Sequence, residues 1–215
     1  LLFDSDGLSL YWEDIKLTRG EGFTNLLTAI DGKSGYGPWS FQRVNDYELL
    51  LSRRQEGLGM DETWKIKVVD EKQIDWEIGV ACEKEVDCLE SQTMLVLSGK
   101  YRTWIDSWGE GKFYPINDYR KVEPRNPNTD FIGLRGRKKI RGQLPTIFWD
   151  LSKNNDGYQP AIKNDNLTLG ARVLEVKARA SGAGSEQPPY LYKLFLGRIK
   201  IVEEDFAKRK FCRKR

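Results

Sequence analysis

A chain of 215 residues can bury about 70% of its unfolded surface in one domain, so it needs neither a disulfide nor a metal staple. Apolar residues at 39%, seven Trp, nine Tyr and nine Phe exclude intrinsic disorder, and no apolar run approaches the ~20 residues of a membrane-spanning helix. The net charge of +3 is segregated: the stretch Ala207–Arg215 has six basic residues and no acid, and the rest carries 29 basic against 32 acidic residues.

Period-2 alternation dominates the chain from its first strand onward. Leu8, Leu10 and Trp12 alternate with Ser9, Tyr11 and Glu13, and the chain turns at Glu13-Asp14 into Ile15-Lys16-Leu17. Strands follow over Thr24–Ile30 and Tyr47–Arg53, separated by the turn chemistry of Asp31-Gly32, Ser34-Gly35 and Gly37-Pro38. Trp64, Ile66 and Val68 alternate with Lys65 and Lys67, and Asp70–Gln73 turns that run into Ile74–Cys82. In the second run Ile74, Trp76, Ile78, Val80 and Cys82 face one way, and Asp75, Glu77, Gly79 and Ala81 the other, the pattern of an antiparallel strand with one buried face. Lys65 and Lys67 are expected to face the acidic pair Asp75 and Glu77 across this hairpin.

Further strands are expected over Met94–Leu97, Phe131–Leu134, Thr146–Trp149, Ala171–Ala178 and Tyr190–Val202, and two short helical turns over Thr103–Trp108 and Glu203–Lys210. Ten or more short strands with regular breaks suggest an all-β sandwich or a closed barrel, and an antiparallel β-sandwich is expected. With no internal repeat and no linker, one domain covers 1–206, and 207–215 is a basic C-terminal tail. The chain begins Leu1-Leu2-Phe3-Asp4 without an initiator Met or a leader, which suggests a fragment of a longer protein. Cys82 and Cys88, six residues apart on one strand, lie about 20 Å apart and are expected to be free thiols, as in a reducing compartment. The sequon Asn166-Leu167-Thr168 matters only in a secreted protein.

The succession of Asp6–Trp12, the hairpin into Lys16-Leu17-Thr18-Arg19-Gly20, the Gly/aromatic loop, Tyr47–Arg53 and the Trp64–Cys88 hairpin resembles the galactose-mutarotase-like supersandwich over about residues 6–100. That β-sandwich is found in sugar epimerases and as an accessory domain of glycoside hydrolases, phosphorylases and polysaccharide lyases. The epimerases use histidine with a carboxylate. This chain has no histidine, so the resemblance implies the accessory, non-catalytic use of the fold.

Absence of histidine also removes the usual general base, the Ser-His and Cys-His nucleophile pairs and the common zinc ligand sets. No P-loop, GxSxG or GxGxxG motif is present, and no cofactor or metal is implied. Carboxylates remain: Asp106, Glu110, Asp118, Glu123, Asp130, Asp150 and the stripe Asp75, Glu77, Glu83, Glu85, Asp87 supply pairs of the kind glycoside hydrolysis uses. The stripe reads equally as a solvated strand face. Asp4 and Asp6 suit calcium, or simply a turn into the first strand.

The segment Tyr101–Tyr119 is the richest in binding chemistry. Tyr101, Trp104, Trp108, Tyr114 and Tyr119 offer flat rings for the apolar faces of sugars, and Arg102 and Asp106 offer groups for the hydroxyls. Trp39, after Gly37-Pro38, is a further turn aromatic, and Tyr158 another. Trp104 and Trp108 at i and i+4 also suit one face of a short helix plugging the core. Of the two, Trp108 is expected to be exposed, because Gly109 and Gly111 imply a reversal that leaves it at a loop tip. Trp12, Trp64 and Trp76 belong to the core.

The basic loop Arg135–Arg141 and the tail suit an anionic partner. With Phe211 the only aromatic among them, nucleic acid is disfavoured. The reading is a carbohydrate-recognition or accessory module of a polysaccharide-processing protein. Its partners would be a polysaccharide or glycan and a separate catalytic domain. The alternatives are a carboxylate-based glycoside hydrolase or polysaccharide lyase, and a structural or protein-interaction domain.

Overall fold

The computed structural model describes residues 2–4, 7–29, 37–56, 59–86, 89–119, 122, 129–136, 144–152, 158–168, 170–180 and 187–202. Seventeen strands are defined there and no α-helix. They are β1 (Leu2–Asp4), β2 (Gly7–Ser9), β3 (Tyr11–Trp12), β4 (Ile15–Lys16), β5 (Thr18–Ala29), β6 (Ser40–Asn45), β7 (Glu48–Gln55), β8 (Met60–Asp70), β9 (Gln73–Cys82), β10 (Leu89–Ser98), β11 (Thr103–Asp106), β12 (Glu110–Lys112), β13 (Phe131–Arg135), β14 (Thr146–Asp150), β15 (Gln159–Asn164), β16 (Ala171–Ala180) and β17 (Tyr190–Val202). A six-stranded sheet runs β1-β2-β5-β10-β16-β15, a nine-stranded sheet runs β12-β11-β13-β14-β17-β9-β8-β7-β6, and β3-β4 form a small ribbon. The two large sheets pack as an antiparallel β-sandwich; the exception is one parallel bridge, Leu8 to Gly22. Gly22 sits there at φ 72°, a conformation open to glycine.

The alternation of the sequence becomes the inner face of the nine-stranded sheet. On β9 every second residue from Ile74 to Cys82 is buried, with Asp75 and Glu77 turned outward. Trp76, fully buried, is the hub of the core. Its ring lies 5.0 Å from Phe23 across the sandwich, 5.0 Å from Trp64, 5.7 Å from Phe195, and stacks parallel on Trp149 at 5.6 Å. This crowding depends on Gly197, which lies opposite Trp76 on β17 and whose missing side chain leaves room for the Trp149 and Phe195 rings. A bulge between Lys193 and Phe195 turns both Leu194 and Phe195 inward, so β17 contributes an extra apolar side chain to the core.

Several expectations change. Lys65 and Lys67 do stand opposite Glu77 and Asp75 in register, but Asp75 takes a two-pronged ion pair from Arg198 of β17, at 2.5 and 2.7 Å, and Lys65 reaches Glu48 of β7 at 3.1 Å. A planar guanidinium fork satisfies both carboxylate oxygens, which a lysine cannot do. Cys82 ends β9 in one sheet, and β10 opens at Leu89 in the other, so the segment from Cys82 to Cys88 is not one strand. Cys82 is buried and free, and Cys88 lies outside the described residues. Thr103–Asp106 is strand β11, not a helical turn, because its backbone pairs with β12 on one side and β13 on the other. Glu203–Lys210, the tail, Asp6, Asp87 and Glu123 lie outside the described residues.

Candidate functional site

The hairpin β11–β12 forms one end of the nine-stranded sheet, and Trp104 and Trp108 play opposite parts in it. Trp104 stands opposite Gly111, and the absent Cβ of that glycine lets the indole fold across the partner strand. There its Nε1 donates to the Lys112 carbonyl at 3.2 Å and the ring is buried. The turn beyond is closed by the buried carboxylate of Asp106, whose Oδ1 accepts the N–H groups of Trp108 and Gly109, both at 2.8 Å. Ser107 is pinned in turn: its N–H donates to Thr129 Oγ1 at 3.1 Å, and its Oγ accepts from the Asp130 N–H at 2.7 Å. Trp108 is the residue this frame projects, with 66% of its surface exposed.

The chain then passes from β12 into the loop 113–119. Three of its carbonyls converge on one buried amide: Asn164 Nδ2, at the end of β15, donates to Pro115 O and Asp118 O at 2.7 Å each and lies 3.5 Å from Tyr114 O. A single side chain thus fixes the loop, and Tyr114 and Tyr119, 40% and 42% exposed, lie on its outer side with Ile116. Arg102 is exposed beside it, its carbonyl accepting from the Phe113 N–H at 3.3 Å. Between Trp108 and Tyr114 lie Gly109 of the turn, the three-residue strand β12 and Phe113 of the loop. The exposed rings thus sit at the hairpin turn, Trp108, and in the loop that follows β12, Tyr114 and Tyr119.

Three of the expected ligand-facing residues point inward. Tyr101 is 1% exposed, donates its hydroxyl to Pro145 O at 2.9 Å, and has its phenol pushed far up by burial. Trp104 and Asp106 are buried as described. A buried ring or carboxylate already committed to the backbone offers nothing to a ligand, so all three support the loops that carry Arg102, Trp108, Tyr114 and Tyr119. Trp39 is half-buried against Trp64, 4.5 Å between centroids, and Arg53 lies 4.4 Å from its ring centre. It lies against a buried polar knot. Tyr158 is also part-buried, donating its hydroxyl to Leu194 O at 3.0 Å.

That knot was not read from the sequence. Glu62, 0% exposed, accepts from Arg53 Nε and Gln55 Nε2 at 2.7 Å, from Trp64 Nε1 at 2.6 Å and from Asn25 Nδ2 at 2.9 Å. Arg53 also donates to Asn25 O at 2.9 Å, and Thr93 to Asn25 Oδ1 at 3.0 Å. The signal was present: Arg53 and Gln55 fall in phase with Leu51, and Glu62 with Met60, Trp64 and Ile66, at positions an inward face reserves for apolar groups. Several of the carboxylates raised for hydrolysis are committed elsewhere. Glu110 pairs with Arg135, Asp150 with Lys200 at 2.8 Å, and Asp75 with Arg198. Among the described residues no three His, Cys, Asp or Glu side chains gather as a metal site would require. Of the basic loop, Arg137–Arg141 lies outside the described residues.

No protein-family model matches the chain, and no curated protein matches it in sequence.

Proposed function

We propose that the chain is a carbohydrate-recognition module of a polysaccharide-processing protein, built on a β-sandwich of the galactose-mutarotase-like kind and acting without catalysis of its own. The observation that carries this reading is the exposure of Trp108, Tyr114 and Tyr119 on backbone held by buried hydrogen bonds. Large aromatics left in water on a fixed frame mark interaction surfaces, and loops on a rigid sandwich are where binding residues concentrate. Rings on a hairpin turn and on the loop that follows suit an extended chain of sugars better than a single sugar. Arg102, exposed beside the loop, adds hydrogen-bond donors for hydroxyl or acidic groups. Glu110 and Asp106, in the hairpin that carries Trp108, are committed to Arg135 and to the backbone, which favours recognition over hydrolysis.

A glycan array followed by product analysis of the best-binding polysaccharide tests this. Binding without chain shortening is the expected result. Release of shortened products would turn the reading to a carboxylate-based enzyme, and failure to bind any glycan would leave the exposed rings to a protein partner.

A further inference from the structure

Arg172, the second residue of β16, directs its side chain into the end of the sandwich, where the residue is only 2% exposed. Its Nε donates to Tyr101 O at 3.2 Å, its Nη1 to Asn164 Oδ1, and its guanidinium lies 4.3 Å from the centre of the Phe113 ring. Among the described residues no carboxylate pairs with it and Nη2 has no acceptor. The other buried arginine, Arg53, is neutralised by Glu62. Asp165, close by in the chain, spends its carboxylate on the N–H groups of Leu167 and Thr168. Burial first, and then the charge of Arg102, push the Arg172 guanidinium down to about 10. Arg102 has no ion pair among the described residues either. The two are held together by backbone contact, since Gly99, which leads into Tyr101 and Arg102, packs so closely on the Gly170 carbonyl that a side chain there would overlap it.

A buried guanidinium with no acid paired to it among the described residues is an unfavourable arrangement that an anion would relieve. The guanidinium fork is the side chain best matched to a planar or tetrahedral oxyanion. We propose that Arg172 and Arg102 form an oxyanion site that takes the carboxylate or sulfate of an acidic sugar, at the base of the loop that carries Tyr114 and Tyr119. The sugar part rests on the glycan reading above, and the anion part does not. Arg172 Nη2 and the Arg102 guanidinium donate to the oxyanion, and the exposed tyrosines border the ring that bears it.

The test is calorimetric titration at fixed ionic strength with a hexamer of galacturonic acid, the same hexamer methyl-esterified, and a sulfated neutral hexaose, together with thermal melts in inorganic sulfate. The acid or sulfated hexamer is expected to bind at least roughly tenfold more tightly than the ester, the scale of one charged hydrogen bond. Arg102→Gln, at an exposed position, should erase that preference and should abolish the rise in Tm with sulfate. Arg172→Lys keeps the charge and removes the fork, so it should lose most of the preference. If that variant unfolds, Arg102→Gln decides alone. Preference for the acid over the sulfated hexamer, or the reverse, identifies the oxyanion. Equal binding of acid, sulfated and ester forms with no sulfate effect overturns the oxyanion site and leaves the glycan reading standing. An Arg102-dependent sulfate effect with no binding of any hexamer keeps the oxyanion site and overturns its sugar carrier.

Discussion

Replacing Glu62 by Gln should be among the most damaging single-atom changes the fold can suffer. The two side chains have the same shape, so packing is preserved and the effect is electrostatic. Oε2 of Glu62 accepts from Arg53 and Gln55, and Oε1 from Asn25 and Trp64. Whichever way the substituted amide is turned, its NH₂ faces two of these donors, and the guanidinium of Arg53 loses its counter-charge at a site that is 0% exposed. Breaking one side of a buried ion pair costs about 3–5 kcal/mol. For a domain of this size that lowers Tm by about 10 °C or more. Urea denaturation of Glu62→Gln gives the free energy, and near-UV circular dichroism should change with it, because Trp39 and Trp64 both lie against this network. The double variant Arg53→Met/Glu62→Leu should cost less than Glu62→Gln alone, since an apolar pair needs no partner. A loss below about 1 kcal/mol for Glu62→Gln, or strict additivity in the cycle, would refute the network as drawn.

Gly197→Ala places a methyl group inside the contact distance of the Trp149 and Phe195 rings, and equilibrium unfolding should show a loss of about 1–3 kcal/mol or more. For Asp150, burial acts to raise the carboxyl, but Lys200 and Ser152 together outweigh it and hold it below the ordinary carboxylate range. A lowered folded pKa means stability present at neutral pH and lost on acidification. Asp150→Asn should therefore be about 1 kcal/mol less stable than the parent at pH 7, a gap that closes as pH falls below about 4 in pH-dependent denaturation. Burial, and then the charge of Asp61, push the Cys82 thiol up to about 11. In a Cys88→Ser/Cys212→Ser background a thiol reagent at pH 8 should label the native protein only as fast as it unfolds, and rapid stoichiometric labelling would place Cys82 outside the core.

The strands legible in the sequence were those whose two faces meet different solvents. β9 alternates cleanly because the six-stranded sheet covers one face and water the other, and β8 and β17 follow the same logic, whereas β14 buries Ile147, Phe148 and Trp149 in succession. β6 went unread because all six of its residues are exposed, so no alternation is written into it. β15 carries Pro160, which argues against a strand, yet it lies at an edge of its sheet, where a missing N–H is tolerated. β11 was mistaken for a helical turn because a spacing of four joins Trp104 and Trp108 equally well when one lies on a strand and the other at the tip of its hairpin. Gly109 and Gly111 marked that tip correctly. The inward polar residues Arg53, Glu62 and Arg172 were hidden for a different reason. Period 2 assigns them to a buried face, but a single sequence does not show which distant partner neutralises each, or that Arg172 has none among the described residues.

The central claim is that exposed rings on the hairpin and its loop bind a glycan, and it is tested most directly by titrating one bound polysaccharide against Trp108→Ala and Trp104→Ala, with a thermal melt of each. Loss of the exposed Trp108 ring should weaken binding by about 1–3 kcal/mol, the scale of base-stacking losses, and leave Tm nearly unchanged. Loss of the buried Trp104 should instead cost about 3–5 kcal/mol of stability. Unchanged affinity in Trp108→Ala, with the fold intact, would contradict the claim.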